Sequence, residues 1–178
     1  MSIKDMLTWK VTEVQGDNAE FQVVSSPIDQ AHLVVWPVPD PHNPPREIEL
    51  QHEYTHALLA ETVHHLFSGH IFKRGTPPQQ IREVAWACRS ATDWFVDHQL
   101  IKFKEDLLGT FYAELREHLE YVNYLLDGKK AAPSGVLFGS GLIIAQACKY
   151  LDADVPGNRR WFVVWLWLFS MLILTNLH

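Results

Sequence analysis

The spacing of hydrophobic positions changes period once along this chain, near residue 45. Before that point, residues 19–25 (AEFQVVS) and 31–37 (AHLVVWP) are short apolar runs rich in β-branched residues. A Ser-Ser-Pro-Ile-Asp turn joins them, and together they predict a β-hairpin. Residues 39–45, Pro-Asp-Pro-His-Asn-Pro-Pro, suit neither a helix nor a central strand and read as a connector. From 46 to 67, Ile48, Leu50, Leu58, Leu59, Val63 and Leu66 recur at helical spacing. Pro44-Pro45 sit where a helix start tolerates proline, and Ser68-Gly69 supplies a stop. Helical patterns also cover 77–103, with Thr76 as candidate N-cap, 105–126, ending at Asp127-Gly128, 137–151, loosened by Gly139 and Gly141, and 159–177. The expected fold class is α+β and predominantly helical: a β-hairpin or small sheet within 1–45, then a body of about five helices over 46–178, in a single domain.

Composition narrows the function classes. The chain has 178 residues, 47% of them hydrophobic and 20% charged, as in a globular domain. Lys and Arg total 15 against 21 Asp and Glu, for a net charge of −6, which argues against a general nucleic-acid binder. Cys88 and Cys148 are too few for a disulfide framework or a four-thiolate zinc site. Polar sequence follows Met1 with no apolar signal region behind it, so the expected compartment is the cytoplasm. Residues 161–174 (WFVVWLWLFSMLIL) are almost uninterrupted apolar and follow Arg159-Arg160. Extended to 177, the segment reads first as a core helix, with an oligomer contact or a membrane anchor as alternatives.

The candidate chemistry is His52-Glu53-Tyr54-Thr55-His56, an H-E-x-x-H well inside a predicted helix. Residues four apart lie one above the other on a helix face, so both imidazoles can reach one Zn²⁺. Glu53 projects beside them, placed to take a proton from a water that the metal polarises. With ten histidines in the chain, chance placement gives roughly a 3% expectation for such a pattern. The plain alternative is a histidine-rich surface helix without metal.

A catalytic zinc needs a third protein ligand. His64 and His65 lie more than two turns along the same predicted helix and do not fold back easily. His70 follows a Gly69 bend and is a candidate. Asp93 is the stronger one, because a carboxylate in an otherwise apolar helical stretch needs a partner, and a metal ion is sufficient. Asp97, one turn on, fits either a ligand or an acceptor for the outer N–H of a ligand imidazole.

The pairing of His52-Glu53-Tyr54-Thr55-His56 with the later Ala91-x-Asp93-x-x-Val96-Asp97-x-x-Leu100 resembles a group of bacterial zincin-like metallopeptidase domains associated with von Willebrand factor A-type domains. That resemblance covers about residues 48–100. It implies a zincin-like fold, metal ligation by His52, His56 and Asp93, and Glu53 as general base. The chain departs from the group's pattern at Asp97, where the group carries Asn. A second resemblance, to SprT-like proteases, rests on His56-Ala57-Leu58-Leu59 followed by Gly69-His70-x-Phe72, and implies His70 as third ligand instead. It lacks a Gly after His70.

Two functions follow as expectations. One is a zinc-dependent metallopeptidase acting on a peptide or protein substrate, with His98, Tyr112 or a nearby Arg as oxyanion donor. The other is a non-catalytic zincin-like module working as an interaction or regulatory protein. An intact Glu53 favours catalysis, since a structural zinc has no use for that base.

Overall fold

The computed structural model describes residues 2–42, 44–69, 72–127 and 134–151. The predicted helix over 159–177 and His70 lie outside the described residues. Three strands, β1 (Lys10–Gln15), β2 (Gln22–Ser26) and β3 (Ala31–Trp36), precede four long helices, α1 (Glu47–Thr62), α2 (Pro78–Phe103), α3 (Leu108–Asp127) and α4 (Ser134–Tyr150). The protein is therefore α+β and mostly helical. No helix among the described residues is long and apolar enough to cross a membrane. The chain divides into two compact units, Met1–Gly75 with Phe95–Leu108, and Thr76–Trp94 with Gly109–His178.

In the first unit the expected hairpin is present: β2 and β3 pair antiparallel, from Gln22 opposite Val35 to Ser26 opposite Ala31. The sheet is larger than that hairpin. β1 joins the other side of β3 in parallel, Lys10 opposite Ala31 through Gln15 opposite Trp36, giving the order β1-β3-β2. The chain leaving β1 must cross the end of β3, and Gly16 makes the crossing. A Cβ there would meet Val35 Cγ1 at 2.4 Å, while the Gly16 N–H donates to the Trp36 carbonyl at 2.9 Å. A methyl group there would collide with the Val35 side chain and crowd the Trp36 carbonyl.

One face of the sheet, with Val23, His32 and Val34, is buried, and α1 packs against β2. Residues around the whole circumference of α1 are buried, including Ile48, Gln51 and every residue from Tyr54 to Ala60. That is the pattern of a central helix. Glu49 returns to the Arg46 N–H at 3.1 Å and so closes its first turn. α1 is shorter than its apolar pattern suggests: it ends at Thr62, and a 3₁₀ turn over His65–Ser68 follows. Val63 and Leu66, counted in the helical pattern, are exposed. α2 starts at Pro78, and the Pro77 carbonyl takes the first helical bond from Ile81 at 3.0 Å, so Pro77 and not Thr76 is its N-cap.

Buried polar bonds tie the N-terminal segment to one stripe of α1. Gln51 accepts from the Ile3 N–H at 3.1 Å. Tyr54 donates to Glu13, which also pairs with Lys4. The Lys4 and Tyr54 bonds hold the Glu13 carboxyl below its usual range, and burial raises the Tyr54 phenol. Glu61 accepts from the Thr8 and Trp9 N–H groups at 2.9 and 3.1 Å and meets His32 Nε2 at 2.9 Å. Burial works to raise the Glu61 pKa, but the bonds from His32, Thr8 and Trp9 outweigh it and the net shift is downward. Ser25 Oγ lies 2.7 Å from His32 Nδ1, and Trp9 stacks on the His32 ring at 5.1 Å. Ser25, His32 and Glu61 thus stand in the order of a nucleophile–base–acid relay. The His32 side chain is 0% exposed, however, so no leaving group can reach its proton, and the trio is a structural clasp.

The second unit is helical. Phe111, Leu115 and Val122 of α3 and Ile144 and Ala147 of α4 are its buried apolar residues. Phe111 meets Tyr150 edge-on at 5.6 Å. α4 is unbroken at Gly139 and Gly141. Gly139 lets α4 approach α2 closely: a Cβ there would stand 2.7 Å from Ser90 Oγ.

Replacing Glu61 with Ala leaves buried His32 without its acid partner and is expected to cost about 3 kcal/mol in denaturant unfolding at neutral pH. The native pKa of Glu61 lies below the ordinary 4.5, so its contribution is complete above that pH and is lost as pH falls through the native value. Wild-type stability should fall more steeply on acidification below pH 4.5 than that of Glu61→Gln. Parallel curves would show that Glu61 does not couple folding to pH.

Candidate metal centre

α1 presents His52 and His56 on the side away from the stripe that holds the N-terminal segment. At about 100° per residue, the two histidines point some 40° apart, while Gln51, Tyr54 and Glu61 cluster elsewhere on the circumference. His56 is buried and His52 is half-buried. Their Nε2 atoms face one another at 3.1 Å.

The outer nitrogen of each ring is already engaged. His52 Nδ1 lies 3.0 Å from Asp97 Oδ1, and His56 Nδ1 is bonded to the Phe67 carbonyl oxygen. A carbonyl can only accept, so His56 Nδ1 carries the proton; with Asp97 Oδ1 as acceptor, His52 Nδ1 carries one in the same way. With Nδ1 protonated on both rings, the two Nε2 lone pairs point to one place, an arrangement stabilised either by a proton on one ring or by a metal ion between them. Two Zn–N bonds at a tetrahedral angle would place the nitrogens about 3.3 Å apart, close to the observed separation. Fixing a ligand imidazole through its far N–H is also how metal sites set tautomer and ring orientation.

α2 supplies the carboxylates. Asp97 belongs to the same compact unit as α1, and Asp93 lies one turn earlier on the same unbroken helix. His52, His56 and Asp93 each offer a ligand atom within 4.8 Å of the others, as a group able to hold a metal ion. Among the described residues no other such group of His, Cys, Asp or Glu occurs. Asp93 also pairs with Arg89 at 3.8 Å, a loose contact to a largely exposed side chain. Val96 and Leu100, buried on the same side of α2, anchor that face. Glu53, next to His52 on α1, is half-buried.

Three histidines take other places. His64 and His65 follow α1, and their rings lie together at 4.3 Å, outside the group. His98 is on α2, also outside the group, and Tyr112 belongs to the second unit. The residue that sequence reasoning misses is Phe67. It acts through its backbone carbonyl, which no side-chain pattern announces. Compared with family models, curated proteins and solved structures, the chain finds no match in any of the three.

If Asp97 orients His52, Asp97→Ala should weaken Zn²⁺ binding by about 10–100-fold, the usual loss for an outer partner of a ligand histidine. Asp93→Ala should weaken it further, because two imidazoles alone hold the ion poorly. Competition against a chromophoric chelator measures both. Equal affinities for wild type and Asp97→Ala would remove Asp97 from the centre.

Proposed function

We propose that this chain is a zinc-dependent metallopeptidase of zincin-like type, with His52, His56 and Asp93 as metal ligands and Glu53 as general base. The observation that carries the reading is the pair of Nε2 atoms at 3.1 Å, each backed by an acceptor on the opposite ring nitrogen. Such a pair is well arranged to share a cation, because each ring is held from its far side with Nε2 turned inward. Two imidazoles and a carboxylate are a donor set suited to Zn²⁺. When bound, the ion supplies Lewis acidity, lowering the pKa of water and polarising a carbonyl.

The chain's own groups do the rest. Glu53 follows His52 directly, so its carboxylate stands beside the ligand pair without belonging to it. There it accepts a proton from the attacking water and returns one to the leaving amine. Asp97 and the Phe67 carbonyl keep the two rings from turning. β2 is an edge strand of the three-stranded sheet and touches both α1 and the 3₁₀ turn after it. Its outer edge offers backbone groups to an extended peptide, which makes peptides or unfolded protein segments the substrate class.

Glu53→Gln preserves shape and hydrogen bonding but loses the base. The variant should keep about one equivalent of Zn²⁺, while cleavage of a mixed peptide pool, followed by mass spectrometry, should fall by about 10²–10⁴-fold. Undiminished cleavage would exclude Glu53 from the mechanism. A wild-type protein purified without chelator that carries no transition metal would count against the whole reading.

A further inference from the structure

The segment that carries the Phe67 carbonyl takes its course from one residue, His64. The His64 N–H donates to the Leu59 carbonyl at 3.0 Å, and the Val63 N–H donates to the same oxygen at 2.9 Å, so α1 closes here. His64 itself is extended, with φ −162° and ψ 137°, and is the N-cap of the 3₁₀ turn His65–Ser68. Its carbonyl accepts the Phe67 N–H at 3.0 Å, and its Nδ1 accepts the Leu66 N–H at 3.3 Å. At the far end of the turn, the Ser68 hydroxyl donates to the His65 carbonyl at 3.4 Å. A 3₁₀ turn of four residues has little stability of its own and depends on such caps.

We propose that His64 is a positioning residue for the metal centre. Through its three bonds it fixes the turn so that the Phe67 carbonyl meets His56 Nδ1 and keeps His56 Nε2 aimed at His52 Nε2. His64 is eight residues from His56 and outside the ligand group, so it acts on His56 through the backbone of the turn. The inference rests on the zinc reading above. It gives a role to a histidine that the H-E-x-x-H pattern leaves over. It also explains why the apolar pattern breaks from helix at Val63: a continued α1 would carry the Phe67 carbonyl away from His56 along the helix axis.

The test is made on the full chain. Zn²⁺ affinity is read by competition with a chromophoric chelator, and ring protonation is read in the metal-free protein by long-range ¹H–¹⁵N NMR. His64→Ala should weaken Zn²⁺ binding by about tenfold, the low end for losing an outer partner of a ligand histidine. Its His56 ring should populate both neutral forms, where the wild type shows Nδ1–H alone. His64→Asn keeps an acceptor for the Leu66 N–H and should restore affinity to within about twofold, together with the single ring form. Unchanged affinity in His64→Ala, or no recovery in His64→Asn, overturns the proposal and leaves the zinc reading standing. Wild-type protein that takes up no Zn²⁺ defeats the zinc reading and this proposal with it.

Discussion

Glu61 fastens three separate stretches of chain to the end of α1. Its carboxylate takes the N–H groups of Thr8 and Trp9, where β1 begins, and the ring of His32 from the middle of β3. A carboxylate whose side chain is 3% exposed is tolerable only with that many donors. The constraint works in both directions. β1 and β3 must lie side by side to present those donors together, and α1 must run over the sheet for Glu61 to reach them. Gln51 and Tyr54 repeat the arrangement further up the helix, holding Ile3 and Glu13. One stripe of α1 is therefore spent on binding the N-terminal segment, and the rotation of the helix about its axis is fixed by side-chain hydrogen bonds as well as by packing.

That fixed rotation also sets where the two histidines of the candidate centre point. With Gln51, Tyr54 and Glu61 committed to the N-terminal segment, His52 and His56 have to face elsewhere, and they face Asp97 of α2 and the turn carrying Phe67. Neither imidazole is free to choose its tautomer. Each has its outer nitrogen against an acceptor, which turns a pair of weak bases into two aligned donors. In the proposed zinc site Asp97 adds charge as well as an acceptor for His52 Nδ1, and with Asp93 it would supply two carboxylates to balance a divalent ion.

The helical body was legible in the sequence because its signals are local. Pro77-Pro78 marked the start of α2 within a residue, and the apolar rhythm carried it to Phe103. The H-E-x-x-H spacing placed two imidazoles on one face of a helix, and Asp93 lies with them in one group able to hold a metal ion. β1 was not legible, for a physical reason. Its sequence KVTEVQ puts Val11, Glu13 and Gln15 on one face and Lys10, Thr12 and Val14 on the other, so neither face reads as apolar. Glu13 is satisfied by Tyr54 and Lys4, partners far away in the chain, and the parallel ladder to β3 is equally non-local. The end of α1 was misplaced by the same logic. Val63 and Leu66 keep the helical period, but they are exposed, and what ends the helix is the backbone bonding around His64.

The early end of α1 joins these two observations. Had the helix continued to Phe67, its carbonyls would all be turned along the axis toward later N–H groups, and none would be available to a side chain one turn and more behind. By leaving the helix at Val63, the chain releases a carbonyl and brings it back to His56. Leu66 is exposed in the process, and Ser68 is buried with its hydroxyl on the His65 carbonyl. An exposed leucine and a buried serine in one short turn are locally unfavourable choices. They are consistent with a segment whose geometry is set by the position of the Phe67 carbonyl and not by its own packing.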